Sequence, residues 1–235
     1  MKTARADATR ERILTTAERL FAEHGVYAVS NRQISEAAGQ GNNTAVGYHF
    51  GAKADLVRAI ARRHTEEIEV TRTRMVGEVP AGAPARAWVA CLVRPATEHL
   101  GALPGPTWFA RFGAQVMTDP ALRGIMVEEA LAVPSLHRTL LGLHGCLPAL
   151  PADVRSERAD MACQLMVHTL SSGASPRAGG SATRTPKDRC AERERALAEG
   201  TPTPRAGWHA AGTGLIDALV GLWLAPVTTT NEGER

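Results

Sequence analysis

The stretch of residues 30–56 constrains the fold of this chain more than any other, because it predicts two short helices separated by a tight turn. Ser30 is a favourable N-cap residue, and Gln33 three residues later completes a capping box for the first of these helices. Gly39 and Gly41 then bracket the turn. Two short helices around a glycine-containing turn are typical of a helix-turn-helix, whose second helix enters the major groove of DNA.

Apolar periodicity predicts the helices on both sides of this turn. Gly25 is a natural C-terminal stop for the helix that precedes the pair. Asn42 or Asn43 is predicted to cap the second helix of the pair, and a longer helix follows it. The four predicted helices cover residues 8–24, 31–38, about 42–49 and 52–76.

Beyond Pro80 the chain continues as helical segments, and no stretch shows the alternation of a strand. We therefore predict an all-α fold. Pro134 interrupts one segment and either kinks it or marks its true start. These segments cover residues 88–100, 108–117, 127–147, 152–170 and 215–223.

The second short helix of the pair presents small polar and aromatic side chains on the face expected to meet DNA. Such groups reach base edges and phosphates. For His49, a capping or packing role is an equally open interpretation. The candidate contacts on this helix are Asn43, Thr44, Gly47, Tyr48 and His49.

Two cations near this helix are candidates for phosphate contacts. Lys53 lies next to the start of the fourth helix, where backbone N–H groups favour an anion, in a chain whose other lysines are Lys2 and Lys187. Arg32, at the start of the first helix of the pair, could contact the DNA backbone in the same way. The net charge of +3 is too small to indicate nucleic-acid binding by itself.

The order of these motifs resembles the TetR family of bacterial repressors over residues 9–61. The turn GQGNN is one residue longer than the common family version, and Gly47 stands where a tyrosine or another larger residue is common. The shared features are Phe21 and Gly25, the helix-turn-helix from Ile34 to Gly39, the run Tyr48-His49-Phe50, Lys53 and Leu56.

The resemblance implies a three-helix DNA-binding domain over residues 1–51, a connecting helix over residues 52–76, and a larger helical regulatory and dimerisation domain over residues 77–235. It implies a transcriptional regulator, in particular a repressor, that binds a palindromic operator in double-stranded DNA as a homodimer. A small-molecule effector would release it.

The last two long helices are apolar over more than one face, which favours pairing across a two-fold axis. An intramolecular core is the alternative. The stretch between them, residues 171–205, is rich in Ser, Gly, Pro, Thr and Arg. It cannot bury enough apolar surface to offset its ordering entropy, so we predict a mobile loop.

The effector site implied by the resemblance is expected among apolar and aromatic side chains with a few polar groups. Filling the core is an alternative role for each of them. The candidates are Trp88, Trp108, Phe109, Phe112, His137, Met166 and His168.

Two other functions stay open: a helical-bundle enzyme, or a ligand-binding protein whose helix-turn-helix no longer binds DNA. The longer turn and Gly47 favour the second of these. The sequence contains no GxSxG, P-loop, HExxH or GxGxxG after a strand, so no catalytic residue is assigned and no enzyme is expected. His137, His144 and Cys146 have no close ligand spacing, and neither a metal nor a cofactor is expected.

The apolar runs are too short to cross a bilayer, and residues 1–10 lack the apolar core of a signal peptide. We therefore expect a cytoplasmic protein without a membrane partner. Its four cysteines are expected to be free thiols, three of them buried.

Overall fold

The computed structural model describes residues 2–41, 44–103, 108–171 and 207–227, without the side chains of residues 2–5 and 171. These residues contain helices and no strand, which confirms the all-α prediction for them. None of these helices is both long and apolar enough to span a membrane. The helices are α1 Lys2–His24, α2 Asn31–Ala37, α3 Ala45–Phe50, α4 Lys53–Glu78, α5 Ala85–Ala102, α6 Phe109–Thr118, α7 Arg123–Leu131, α8 Pro134–Cys146, α9 Ala152–Ser171 and α10 Trp208–Leu224.

Local sequence signals set several helix ends as predicted. The Gln33 backbone N–H donates to the Ser30 hydroxyl at 3.2 Å, and the Ser30 backbone N–H donates to the Gln33 side-chain oxygen at 2.8 Å, which confirms the capping box. Gly25 follows α1 with φ +87°, a left-handed stop. Pro134 is the first residue of α8, so it starts a helix and does not kink one.

Two helix starts differ from the prediction. α1 begins at Lys2 and not near Ala8. α3 begins at Ala45 with Thr44 in the N-cap position, so the prediction of an asparagine cap is wrong. The asparagines of that prediction, at positions 42 and 43, lie outside the described residues.

A first hydrophobic core joins the N-terminal helices to later ones. Phe21 of α1 and Phe112 of α6 are both 0% exposed, and their ring centroids lie 6.4 Å apart. Val116 of α6 and Ile125 of α7 belong to the same core, together with Ile60 of α4. The packing therefore runs without a break from the N-terminal helices into the helices after residue 77.

A second core lies between α5, α8, α9 and α10. Val89, Leu143 and Leu219 are fully buried there. α9 and α10 thus contribute to a core within the chain, as the alternative interpretation expected, while Met161 on α9 stays 52% exposed. The predicted mobile loop lies, apart from residue 171, outside the described residues.

Candidate nucleic-acid interface

Helices α2 and α3 cross, and the crossing buries one face of each. Ile34 on α2 and Val46 on α3 are fully buried. The opposite face of α3 is open, because Tyr48 is 85% exposed and Thr44 and Gly47 are exposed beside it. The structure therefore brings the predicted contacts Thr44, Gly47 and Tyr48 together on one outward surface of the second helix.

The remaining predicted DNA contacts have different surroundings. His49 is partly buried, with its ring edge-on to Tyr48 at a centroid distance of 5.1 Å. Arg32 is exposed, and its Nε donates to Glu36 Oε1 at 2.7 Å, which raises the pKa of the guanidinium. A Cβ added at Gly47 would meet no atom within 4 Å, so packing does not require glycine there. Asn43 lies outside the described residues.

The ammonium of Lys53 lies on backbone carbonyls and not in open solvent. Its Nζ donates to the carbonyl of Val29 at 2.6 Å and to that of Val26 at 3.0 Å. Both carbonyls belong to the connection between α1 and α2, so the lysine holds this connection against the start of α4. An ammonium carries three donors, so one hydrogen is left for a phosphate. The phosphate contact of Lys53 stays a prediction.

Arg10 on α1 is a residue of this surface that the sequence analysis missed. Its guanidinium carbon lies 4.3 Å from the centroid of the Phe50 ring, and its Nη1 donates to the His49 carbonyl at 3.1 Å. Arg10 thus holds the C-terminal end of α3 against α1. It also lines a cleft of about 370 Å³ between α1, α3 and α4. No local pattern pointed to it, because its partner lies 39 residues further along the chain.

A polar cluster, in which Glu18 and His64 are buried, joins the N-terminal helices to the C-terminal ones; we call Glu18, Arg63, His64 and His99 the histidine cluster. His64 Nε2 lies 2.9 Å from Glu18 Oε2, and His64 Nδ1 lies 2.8 Å from His99 Nε2. Arg63 Nη2 also donates to Glu18 Oε2. The Phe109 ring stacks on His64 at a centroid distance of 3.7 Å. α1, α4 and α5 are therefore tied together at one point.

Glu18 and His99 hold the two nitrogens of the His64 ring. Glu18 accepts from His64 Nε2–H, and His64 Nδ1 shares a hydrogen bond with His99 Nε2. Burial lowers the pKa of His99 to about 4, and the neighbouring His64 adds to this shift. His99 is thus neutral at pH 7 and closes the cluster at α5.

The low pKa of His99 predicts a loss of stability in mild acid. The unfolded chain protonates His99 near pH 6.5 and the folded chain near pH 4, so the unfolded state binds more protons between these values. The free energy of unfolding should therefore fall as the pH drops from 6.5 towards 4, by about 2 kcal/mol since the ring keeps some solvent contact. Urea unfolding at pH 7, 6 and 5 measures it. His99→Gln keeps an uncharged side chain that can form hydrogen bonds and should flatten the dependence; an equal slope in both proteins would contradict the assignment.

Ion pairs also join α4 to α7. Arg62 Nε and Nη2 each donate to Glu129 at 3.0 Å, and Arg58 Nη1 donates to Glu128 at 3.0 Å and to Glu129 at 3.1 Å. Glu129 is 7% exposed. Hydrogen bonds from Arg62 hold its pKa below the usual range against the opposing effect of burial, and Arg58 adds to the shift. α4 is thus fixed at several points to helices that follow it.

The structure does not gather the candidate effector residues into one cavity. Phe112 is fully buried in the first core, where Trp108 and Phe109 pack beside it. Trp88 and Met166 pack instead against the second core. The aromatic members of the predicted set thus lie in two separate cores, and their part in an effector site stays a prediction.

The two histidines of that set lie on the surface. His137 is exposed on α8, and His168 is exposed on α9. His168 lines a shallow groove of about 600 Å³ between α9 and α10, which none of the other six candidates lines. An effector site in the C-terminal helices stays a prediction.

Among the described residues, no group of three or more His, Cys, Asp and Glu side chains is arranged to hold a metal ion. Cys91, Cys146 and Cys163 are free thiols. Cys91 is buried, Cys146 is partly buried and Cys163 is exposed, so the expectation of three buried cysteines is wrong. Cys190 lies outside the described residues.

Two family models match the chain. Residues 13–60 match the model for bacterial regulatory proteins of the tetR family. Residues 90–199 match the model for a tetracyclin repressor-like C-terminal domain. One curated relative, the HTH-type transcriptional repressor AcnR of Corynebacterium glutamicum, is 37% identical over 75 residues. That match covers 32% of this chain and 39% of the relative.

Solved structures share the fold at low sequence identity. A TetR family transcription regulator from Marinobacter aquaeolei VT8 has a TM-score of 0.53 at 15% identity, over 93% of this chain and 98% of that one. A tetR family protein from Shewanella sp. PV-4 has a TM-score of 0.52 at 14% identity, over 89% of this chain and 97% of that one. At such identity the two structures bear on the fold alone.

Proposed function

Because this chain belongs to the TetR family of bacterial regulatory proteins, we propose that it is a transcriptional repressor acting on DNA in the cytoplasm. It binds a palindromic operator as a homodimer and leaves the operator when a small molecule binds its C-terminal helices. The observation that carries the proposal is the outward face of α3. Tyr48 there is 85% exposed, while Val46 on the opposite face is fully buried in the crossing with α2.

The arrangement of α3 supports major-groove binding. A short helix held at one end by Arg10 and on one face by α2 presents its other face as a rigid surface. Tyr48 offers a hydroxyl to a phosphate, and Thr44 offers one to a base edge or a phosphate. The two-fold symmetry of a dimer would place two such helices on successive turns of the duplex.

The groove between α9 and α10 supports the dimer. It is largely apolar, shallow and open to solvent, which is the character of a surface that a second copy covers. Its lining residues are Met161, Gln164, Leu165, His168, Ala218 and Leu222.

Release by an effector would act through α4. This helix carries Lys53 at its start, and the histidine cluster and the ion pairs to Glu129 fix it to α5 and α7. An effector that binds one position of α5 or α7 more tightly than another would therefore shift α4 and change the spacing of the two α3 helices.

The test of the proposal is selection of duplexes from a random-sequence pool, followed by titration of the selected site. We expect a palindrome to be enriched. Tyr48→Ala should then raise the Kd about tenfold or more, because a hydrogen bond to a charged phosphate is lost in each protomer.

Tyr27→Ala is the matched control, since Tyr27 is the other tyrosine of the chain, is 64% exposed and is not a predicted DNA contact. It should leave the Kd unchanged. Lys53→Ala is a less specific test, because it also removes two hydrogen bonds within the protein. Failure to enrich any site, or equal losses in both tyrosine variants, would refute the proposal.

A further inference from the structure

Gly47 is an interior residue of α3 that the fold itself does not require to be glycine. It is exposed on the outward surface of this helix, beside Thr44 and Tyr48. Its φ is not positive, in contrast to that of Gly51, which ends the helix at φ +78°. A Cβ built on Gly47 would meet no atom of the described residues within 4 Å. Neither backbone conformation nor packing among these residues therefore calls for glycine at this position.

A glycine inside a helix lowers stability relative to alanine, because its backbone loses more freedom on folding. α3 has only six residues, and its buried face is held in the crossing with α2 through Val46. The missing side chain at Gly47 adds nothing to that contact. Its effect is to leave the α3 backbone uncovered on the face that the proposed function assigns to DNA.

The uncovered backbone presents an apolar spot. The N–H and C=O groups of a helix point along its axis, and the Gly47 carbonyl already accepts from the Gly51 N–H at 2.9 Å. The group that faces outward at Gly47 is therefore its Cα. A polar base edge placed there would lose water without gaining a hydrogen bond. The C5-methyl of thymine is the group in the major groove that gains from such a surface.

We propose that Gly47 is a specificity-determining residue, at which the α3 backbone contacts the methyl group of one thymine in each half of the operator. This inference rests on the proposed function, because it names a base that the DNA-binding face reads. The N-terminal residues of a recognition helix contact base edges, and Gly47 is the third residue of α3. A side chain at this position would hold the duplex away from the helix.

The first test uses the full-length protein and the palindromic duplex that it selects. Each thymine of the half-site is replaced in turn by deoxyuridine, in both half-sites, which removes one methyl group and keeps every hydrogen-bonding group. At one position the Kd of the unchanged protein should rise about 15-fold, because each of the two buried methyl groups contributes about fourfold.

The second test adds a methyl group to the protein through Gly47→Ala. The new Cβ would overlap the thymine methyl, so the Kd for the thymine duplex should rise about tenfold or more. Gly47→Ala should then bind the deoxyuridine duplex more tightly than the thymine duplex, which reverses the preference of the unchanged protein. The Tm of the variant without DNA should not fall, because alanine favours the helix.

Gly113→Ala is the matched control. Gly113 lies inside α6, where a Cβ would also meet no atom of the described residues within 4 Å. This variant should keep both the Kd of the unchanged protein and its preference for the thymine duplex.

The inference is overturned if no thymine of the selected site responds to deoxyuridine, if Gly47→Ala leaves the Kd for the thymine duplex unchanged, or if Gly47→Ala still prefers the thymine duplex. Each of these results leaves the repressor standing, because a palindrome has been selected. Failure to select any site overturns the proposed function and this inference together.

Discussion

Replacing Gly142 by alanine should lower the free energy of unfolding by about 3 kcal/mol. α8 passes so close to the Trp88 ring on α5 that an added Cβ would overlap the indole atoms Cδ2, Cε2 and Cζ2. Trp88 itself packs against the second core, so a shift of the ring would disturb the contact between α5 and α8. Urea unfolding followed by circular dichroism measures the loss.

Gly145→Ala is the matched control in the same helix. A Cβ at Gly145 would meet no atom within 4 Å, so alanine should leave the stability unchanged or raise it by up to about 1 kcal/mol through its higher helix propensity. Adding Trp88→Ala to Gly142→Ala should show a coupling between the two sites, because the overlap disappears with the ring. Equal effects of the two alanine substitutions on the free energy of unfolding would mean that α5 and α8 are not in close contact at Gly142.

Replacing Glu18 by glutamine should cost about 3 kcal/mol, because it breaks a buried charged network. Glu18 is 6% exposed and serves both Arg63 and His64. An amide oxygen carries no charge to balance Arg63, and the amide N–H groups face donors. The Glu18 carboxylate holds the His64 ring, and His64 in turn contacts the His99 ring, so the positions of both rings depend on this carboxylate.

Glu11→Gln is the matched control, because Glu11 also forms an ion pair with Arg63. Glu11 lies 3.4 Å from Arg63 Nη1, but its side chain is 60% exposed, so its loss should cost about 0.5 kcal/mol or less. Thermal unfolding of both variants at pH 7 makes the comparison. A loss at Glu18 no larger than that at Glu11 would show that the histidine cluster contributes nothing beyond a surface ion pair.

Much of the N-terminal region could be predicted from the sequence because its signals are local. The capping box links Ser30 to Gln33 within one helical turn, and Gly25 stops α1 through its own backbone conformation. The buried face of α1 follows the same short spacing, since Ile13, Ala17 and Phe21 lie four residues apart and are all 0% exposed. Each of these features depends on residues at most four positions apart, or on a repeat of such spacings.

The charged and aromatic contacts could not be predicted in this way. Lys53 was assigned to a phosphate from its place at the start of α4, yet its ammonium lies on carbonyls 24 and 27 residues earlier. Phe109 was assigned to an effector pocket, yet its ring stacks on His64. A side chain on a helix face looks the same in sequence whether it meets a ligand, a core or a carbonyl.

The sequence by itself determined where α1 ends and where α2 begins, because hydrogen bonds and backbone preferences within a turn of helix set both ends. Only the tertiary structure decided which polar groups meet inside: Glu18 with His64 across 46 positions, His64 with His99 across 35, and Arg72 with the Cys91 carbonyl across 19. The physical reason is that a buried charge is tolerated or costly according to what lies within about 4 Å of it, and helix packing alone sets that distance.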